Sequence, residues 1–118
     1  MYIKLDRDYE VKTTLGAIRE IERAFDNSFF EVINGVTNMK IEQQIKLLYI
    51  GVKKANPDMS EQRFNELCDD NLGLVELIEA LEKYLVALQF SGLSESEVQE
   101  KLAKKSQPTV STAGKKAK

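Results

Sequence analysis

Residues Thr13 to Phe25 read TTLGAIREIERAF, and their spacing decides the fold class. Leu15, Ile18, Ile21 and Phe25 recur at helical intervals, with Ala17 and Ala24 beside them, which places one apolar line on an α-helix. Thr13 or Thr14 stands where a hydroxyl can cap that helix. Upstream, Tyr2-Ile3-Lys4-Leu5 and Tyr9-Glu10-Val11-Lys12 alternate, or nearly alternate, apolar with polar residues around the turn-prone Asp6-Arg7-Asp8. This pattern predicts a small β-hairpin over about residues 2–12. Two strands alone are marginal in water, so their apolar side must be covered by the helices or by another chain.

Downstream the helical pattern continues. Ser28-Phe29-Phe30-Glu31 has the form of a capping box, which predicts a short helix through about Ile33 that ends near Asn34-Gly35. Phe29, Phe30, Val32, Ile33 and Val36 read as a core segment between longer helices. A third helix is predicted from Met39 or Lys40 to Ala55, stopping at Asn56-Pro57 because proline disfavours a helical residue before it. Ile41, Ile45, Leu48, Val52 and Ala55 form its buried line, with Leu47 off the line and Ile50 roughly opposite. Ser60 caps a short helix to about Leu67 or Cys68, with Phe64 and Leu67 inward, and Asp69-Asp70-Asn71-Leu72-Gly73 reads as a turn. The longest helix runs from Leu74 to about Phe90, with a broad stripe of Leu74, Leu77, Ile78, Leu81, Tyr84, Leu85 and Leu88, a solvated face of Glu76, Glu79 and Glu82, and Val75 and Val86 on a second side. Ser94-Glu95-Ser96-Glu97 gives another capping box before a short amphipathic helix with Val98 and Leu102 inward. The segment from Lys105 on is small, polar and basic. The expected architecture is therefore mainly α: a β-hairpin, a compact bundle of about five to six helices in a single domain over residues 1–104, and a disordered Lys-rich tail over 105–118.

Composition narrows the function classes. Hydrophobic residues make up 42% of the chain and charged residues 31%, the balance of a globular protein with a real core. No apolar run approaches the roughly 20 residues of a membrane span, and the N-terminus carries acids and bases where a secretory leader would be apolar. Cys68 is the only cysteine, which fits a reducing cytoplasm. Residues 1–100 hold all 19 acids against 11 bases, whereas 101–118 hold six lysines and no acid. An acidic body lacks the basic face that neutralises phosphates, so a nucleic-acid-binding body is not expected, although the tail alone can reach phosphate.

Catalytic patterns are missing. The chain has no histidine and one cysteine, which removes the usual zinc, haem and nucleophile-triad ligand sets and leaves Cys68 without an activating base. Asp69-Asp70-Asn71 faintly resembles a calcium loop, but counted from Asp69 the sixth and twelfth places hold Leu74 and Ala80 where glycine and glutamate belong. Six glycines are scattered singly, so no phosphate-cradling loop is present. No cofactor, metal or catalytic residue is expected. What stands out is apolar surface beyond what one face of each peripheral helix can hide: Ile50, Val75, Val86 and Phe90 are the residues expected to face a partner. The alternative, that neighbouring segments wrap both sides of these helices, is equally consistent with the pattern.

The order of hairpin, TTLGAIREIERAF, FFEVINGV, a helix ending LLYIGVKKANP, then MSEQRFNELCDDNLG and LVELIEALEKYLVALQF resembles the tail assembly chaperones of siphophages and prophages. In layout it is also similar to the small proteins encoded between the tail-tube and tape-measure genes of gene transfer agents. The resemblance spans about Tyr2 to Lys104 and is carried by Leu-Gly-Ala-Ile-x-x-Ile-Glu at Leu15–Glu22 and by Leu-Leu-Tyr-x-Gly-Val-Lys at Leu47–Lys53. It implies a cofactor-free binding module in the cytoplasm of a bacterial host. Such a module holds the tape-measure protein soluble, helps recruit tail-tube protein, and is absent from the finished particle. It leaves self-association open. Such families often add a longer, frameshifted product, and Lys104-Lys105 and Lys115-Lys116 are pairs that A-rich slippery codons can encode. The alternative from another class is a small regulatory or nucleic-acid-associated helical protein that uses the lysine tail as an electrostatic arm.

Overall fold

A computed structural model describes residues 1–90. Strands β1 (Tyr2–Lys4) and β2 (Asp8–Glu10) form an antiparallel hairpin with Ile3 opposite Tyr9, and five helices follow: α1 (Leu15–Phe25), α2 (Phe29–Gly35), α3 (Ile41–Ala55), α4 (Glu61–Asn71) and α5 (Leu74–Gln89). A 3-10 turn, Val36–Asn38, joins α2 to α3. The expected mainly helical fold with an N-terminal hairpin is what the chain adopts. The capping box at Ser94, the inward Val98 and Leu102, and the tail from Lys105 lie outside the described residues.

The hairpin solves the problem of an isolated strand pair by burying every second residue. Ile3, Leu5, Tyr9 and Val11 enter the core. Its turn is tied by the Tyr9 hydroxyl donating to Asp6 Oδ1 at 2.7 Å, with the Arg7 guanidinium 4.6 Å above the Tyr9 ring. The outgoing strand is then fastened to α3. Lys12 N–H donates to the Gly51 carbonyl at 2.9 Å, and Asn56 Nδ2 donates to the Glu10 carbonyl at 3.0 Å.

Helix α3 is the hub, packing against β2, α1, α4 and α5. That position explains two departures from the single buried line. Leu47 is fully buried, together with Gln44, Ile45, Leu48, Gly51 and Val52, because neighbours cover α3 over nearly half its circumference. Ile50 is half-buried and packs on the core instead of standing opposite it. The buried Gln44 is satisfied by donating to the Val36 carbonyl at 2.9 Å. Gly51 marks the closest approach: a Cβ there would lie 2.7 Å from Tyr84 Cε1, 2.7 Å from Val11 Cγ1 and 2.8 Å from Tyr84 Oη.

Helix boundaries follow local chemistry. Thr14 is the N-cap of α1 but its hydroxyl makes no capping bond. The helix ends at Asp26, which takes the left-handed conformation (φ 51°) that aspartate tolerates better than most residues. Ser28 accepts from Glu31 N–H at 3.2 Å, and Glu22 of α1 reaches across to accept from Phe29 N–H at 2.9 Å, joining the two helices. Ser60 accepts from Arg63 N–H at 3.1 Å and opens α4. The expected turn at Asp69-Asp70-Asn71 is instead the last turn of α4. Asn71 Nδ2 donates to the Leu67 carbonyl at 2.9 Å and prolongs the helix, so that Leu72-Gly73 alone makes the bend. Gly73 N–H then donates to Glu76 Oε1 at 2.6 Å, which organises the start of α5.

Gly51→Ala should therefore lower stability by about 1–3 kcal/mol, the usual range for overpacking a filled core. Urea unfolding monitored by circular dichroism measures this; an unchanged midpoint would show that Tyr84 or Val11 can move aside.

Candidate protein-binding surface

The partner-facing residues expected from the sequence separate in the structure. Val75 is 67% exposed, as a partner-facing residue must be. Val86 is 4% exposed and packs with Ala87 and Met1, so it is not available as a surface contact. The reason is that α5 is covered unevenly: Tyr84 to Leu88 are all buried, whereas the first turn of the same helix projects from the bundle. Ile50 is half-buried on the core, and Phe90 at the end of α5 is 42% exposed. These four residues do not form one patch.

The exposed apolar residues that the periodicity missed follow a positional rule. Leu15 opens α1, Phe30 is the second residue of α2, Ile41 opens α3, and Leu74 opens α5 beside the expected Val75, all more than half exposed. Leu15, Ile41 and Leu74 each sit on or near a buried stripe by spacing, yet each stands one turn beyond the point where neighbours cover the helix. The signal that could have found them is their position immediately after the helix start. In α1 the buried face centres on Ala17 and Ile21, flanked by Ile18 and Phe25, so that Leu15 also falls about 60° outside the arc at 100° per residue.

Two of these residues share a groove. The start of α3, the end of α4 and the start of α5 enclose a cleft of about 160 Å³ lined by Ile41, Ile45, Cys68, Asp69, Leu72, Gly73, Leu74 and Leu77. Ile45, Cys68 and Leu77 are buried and form its floor, while Ile41 and Leu74 stand at its mouth. Its bend is set by Gly73 and the Glu76 cap, and the floor is part of the main core. A wider cleft of about 440 Å³ between β1 and the flank of α5 is more polar, with Lys4, Glu76, Glu79 and Lys83 on its walls. A third, of about 330 Å³, lies beside Arg7, Tyr9 and Arg63.

The floor of the groove holds one thiol, that of Cys68. Burial, reinforced by the Asp69 charge, pushes the Cys68 thiol up to about 12, which keeps it protonated and inert at neutral pH. Burial likewise raises the Tyr84 hydroxyl well above the ordinary phenol range, only partly offset by the neighbouring Gly51 backbone. Among the described residues no three histidine, cysteine, aspartate or glutamate side chains are grouped to hold a metal ion, and no helix is long and apolar enough to cross a membrane. Comparison of the chain with family models, with curated proteins and with solved structures gives no match.

Two outcomes follow from this geometry. Ile41→Ser and Leu74→Ser, at exposed positions, should each change stability by no more than about 0.5 kcal/mol, whereas Leu77→Ala beneath them should cost about 2–5 kcal/mol, both read from urea midpoints. Because Cys68 and Tyr84 hold their protons more tightly folded than unfolded, the stability they contribute is whole below the unfolded thiol value near 9 and is lost as pH rises toward 12. Cys68→Ala should flatten part of that alkaline loss in unfolding curves taken across this range; an unchanged slope would contradict the assignment.

Proposed function

We propose that this chain is a non-catalytic tail assembly chaperone of a siphophage or prophage, which binds the tape-measure protein in the bacterial cytoplasm and helps recruit tail-tube subunits. The observation that carries the reading is the apolar groove at the α3, α4 and α5 ends, with Ile41 and Leu74 exposed at its mouth. A pocket with an apolar floor, apolar lips and an unreactive thiol is suited to holding side chains of another polypeptide. The resemblance supplies the identity of that polypeptide. Its two sequence segments fall at structural positions of consequence: Leu15–Glu22 forms most of α1, and Leu47–Lys53 contains the Gly51 contact at the centre of the bundle.

A tape-measure protein is a long, largely helical chain with repeated apolar stripes, and a small helical domain covers such stripes by helix-in-groove contacts. Several copies along one chain gain from sharing a scaffold. The lysine tail offers the competing nucleic-acid reading, but it lies outside the described residues, and the described body carries its acids, Glu20 apart, on exposed surfaces.

Co-expression with the tape-measure protein of the same phage or prophage is the test. The reading expects a several-fold rise in soluble tape-measure protein and co-purification of the two chains. No gain in solubility together with no co-purification would overturn it.

A further inference from the structure

We propose that the groove between the ends of α3, α4 and α5 selects a basic amphipathic helix of a separate polypeptide, with its apolar face on Ile41 and Leu74 and its lysines or arginines toward the acidic last turn of α4. This deepens, and rests on, the polypeptide-binding role proposed above. The cleft, at about 160 Å³, is smaller than the roughly 300–1,000 Å³ of a small-molecule site and suits an anchoring aliphatic side chain. Helix ends surround it, and exposed apolar lips flank it, the arrangement that receives the i, i+3 and i+4 anchors of an incoming helix.

Charge specifies the partner. Asp69 lines the groove and Asp70 follows it on α4, both exposed, while the one base next to a lip residue in sequence is Lys40, before Ile41. Neither carboxylate forms an ion pair among the described residues, where the pairs are Lys12 with Glu10 and Arg23 with Glu20. Glu76 is used in capping α5, but Asp69 and Asp70 have no such role in the fold. They occupy the last turn of α4, which has no basic residue, so their charge opposes the helix dipole. Acids placed against the dipole, unpaired and beside an apolar cleft, disfavour the free protein and favour a cationic occupant.

The experiment uses the full chain and fluorescence anisotropy with two labelled synthetic helices of about 18 residues, both with leucine at helical spacing, one filled in with lysine and one with glutamate. The Leu/Lys helix should bind at least about tenfold more tightly than the Leu/Glu helix, and this margin should shrink between about 0.05 and about 0.5 M NaCl. Leu74→Ser and Ile41→Ser should each weaken Leu/Lys binding about tenfold. Asp69→Asn with Asp70→Asn should reduce the lysine preference without loss of folded stability. Equal affinity for the two helices, no binding of either, or a preference untouched by Leu74→Ser would overturn the proposal. So would binding that emerges only after Lys115, Lys116 and Lys118 are changed to Gln, which would assign the groove to the chain's own tail. Tape-measure co-purification that persists in Leu74→Ser would also overturn the groove assignment, while leaving the chaperone reading intact.

Discussion

The contact of Gly51 with Tyr84 and Val11 is the constraint on which the rest of the fold depends. At this point the hub helix α3, the long helix α5 and the strand leaving the hairpin meet with no room for a single additional carbon. The same residue's carbonyl accepts the Lys12 N–H, so one glycine sets both the helix spacing and the depth of the hairpin. Tyr84 fills the space that glycine leaves and is itself wholly buried. Close packing of this kind transmits a shift in any one element to the others, since interiors have few voids to absorb it.

A hub packed on several sides leaves the helix beginnings as the free surface. The core takes in α3 from Gln44 to Val52 and α5 from Leu77 on, and the first residues of α1, α3 and α5 extend past it. Apolar residues there add nothing to the core. Burial elsewhere satisfies the fold, and Ile41 and Leu74 are left at the mouth of a groove whose floor is the core itself. A partner that fills this groove would contact the same residues that hold α3, α4 and α5 together, so the proposed chaperone role would need no moving part.

Much of the fold was legible in the sequence because it rests on local signals. The alternation in residues 2–12 found the hairpin, serines at 28 and 60 found two helix starts, and Asn56-Pro57 found the end of α3. Errors arose where tertiary context overrides a wheel. Leu47 looked peripheral because one helix read alone has one buried line, whereas a central helix has several. Asp69 to Asn71 looked like a turn by composition, yet Asn71 bonds back into α4 and keeps it helical. The candidate surface was the least legible part. Val75 and Val86 share a side of α5, but exposure along that side changes within three turns as its cover changes, and no periodicity encodes the cover.

Hydrogen–deuterium exchange on the co-purified complex with the tape-measure protein tests the central claim most directly. The first amides of a helix lack intrahelical partners and exchange readily when uncovered. The account predicts new protection confined to the starts of α3 and α5 and the end of α4, the segments around Ile41, Asp69 and Leu74. Protection elsewhere with these segments unchanged would contradict it.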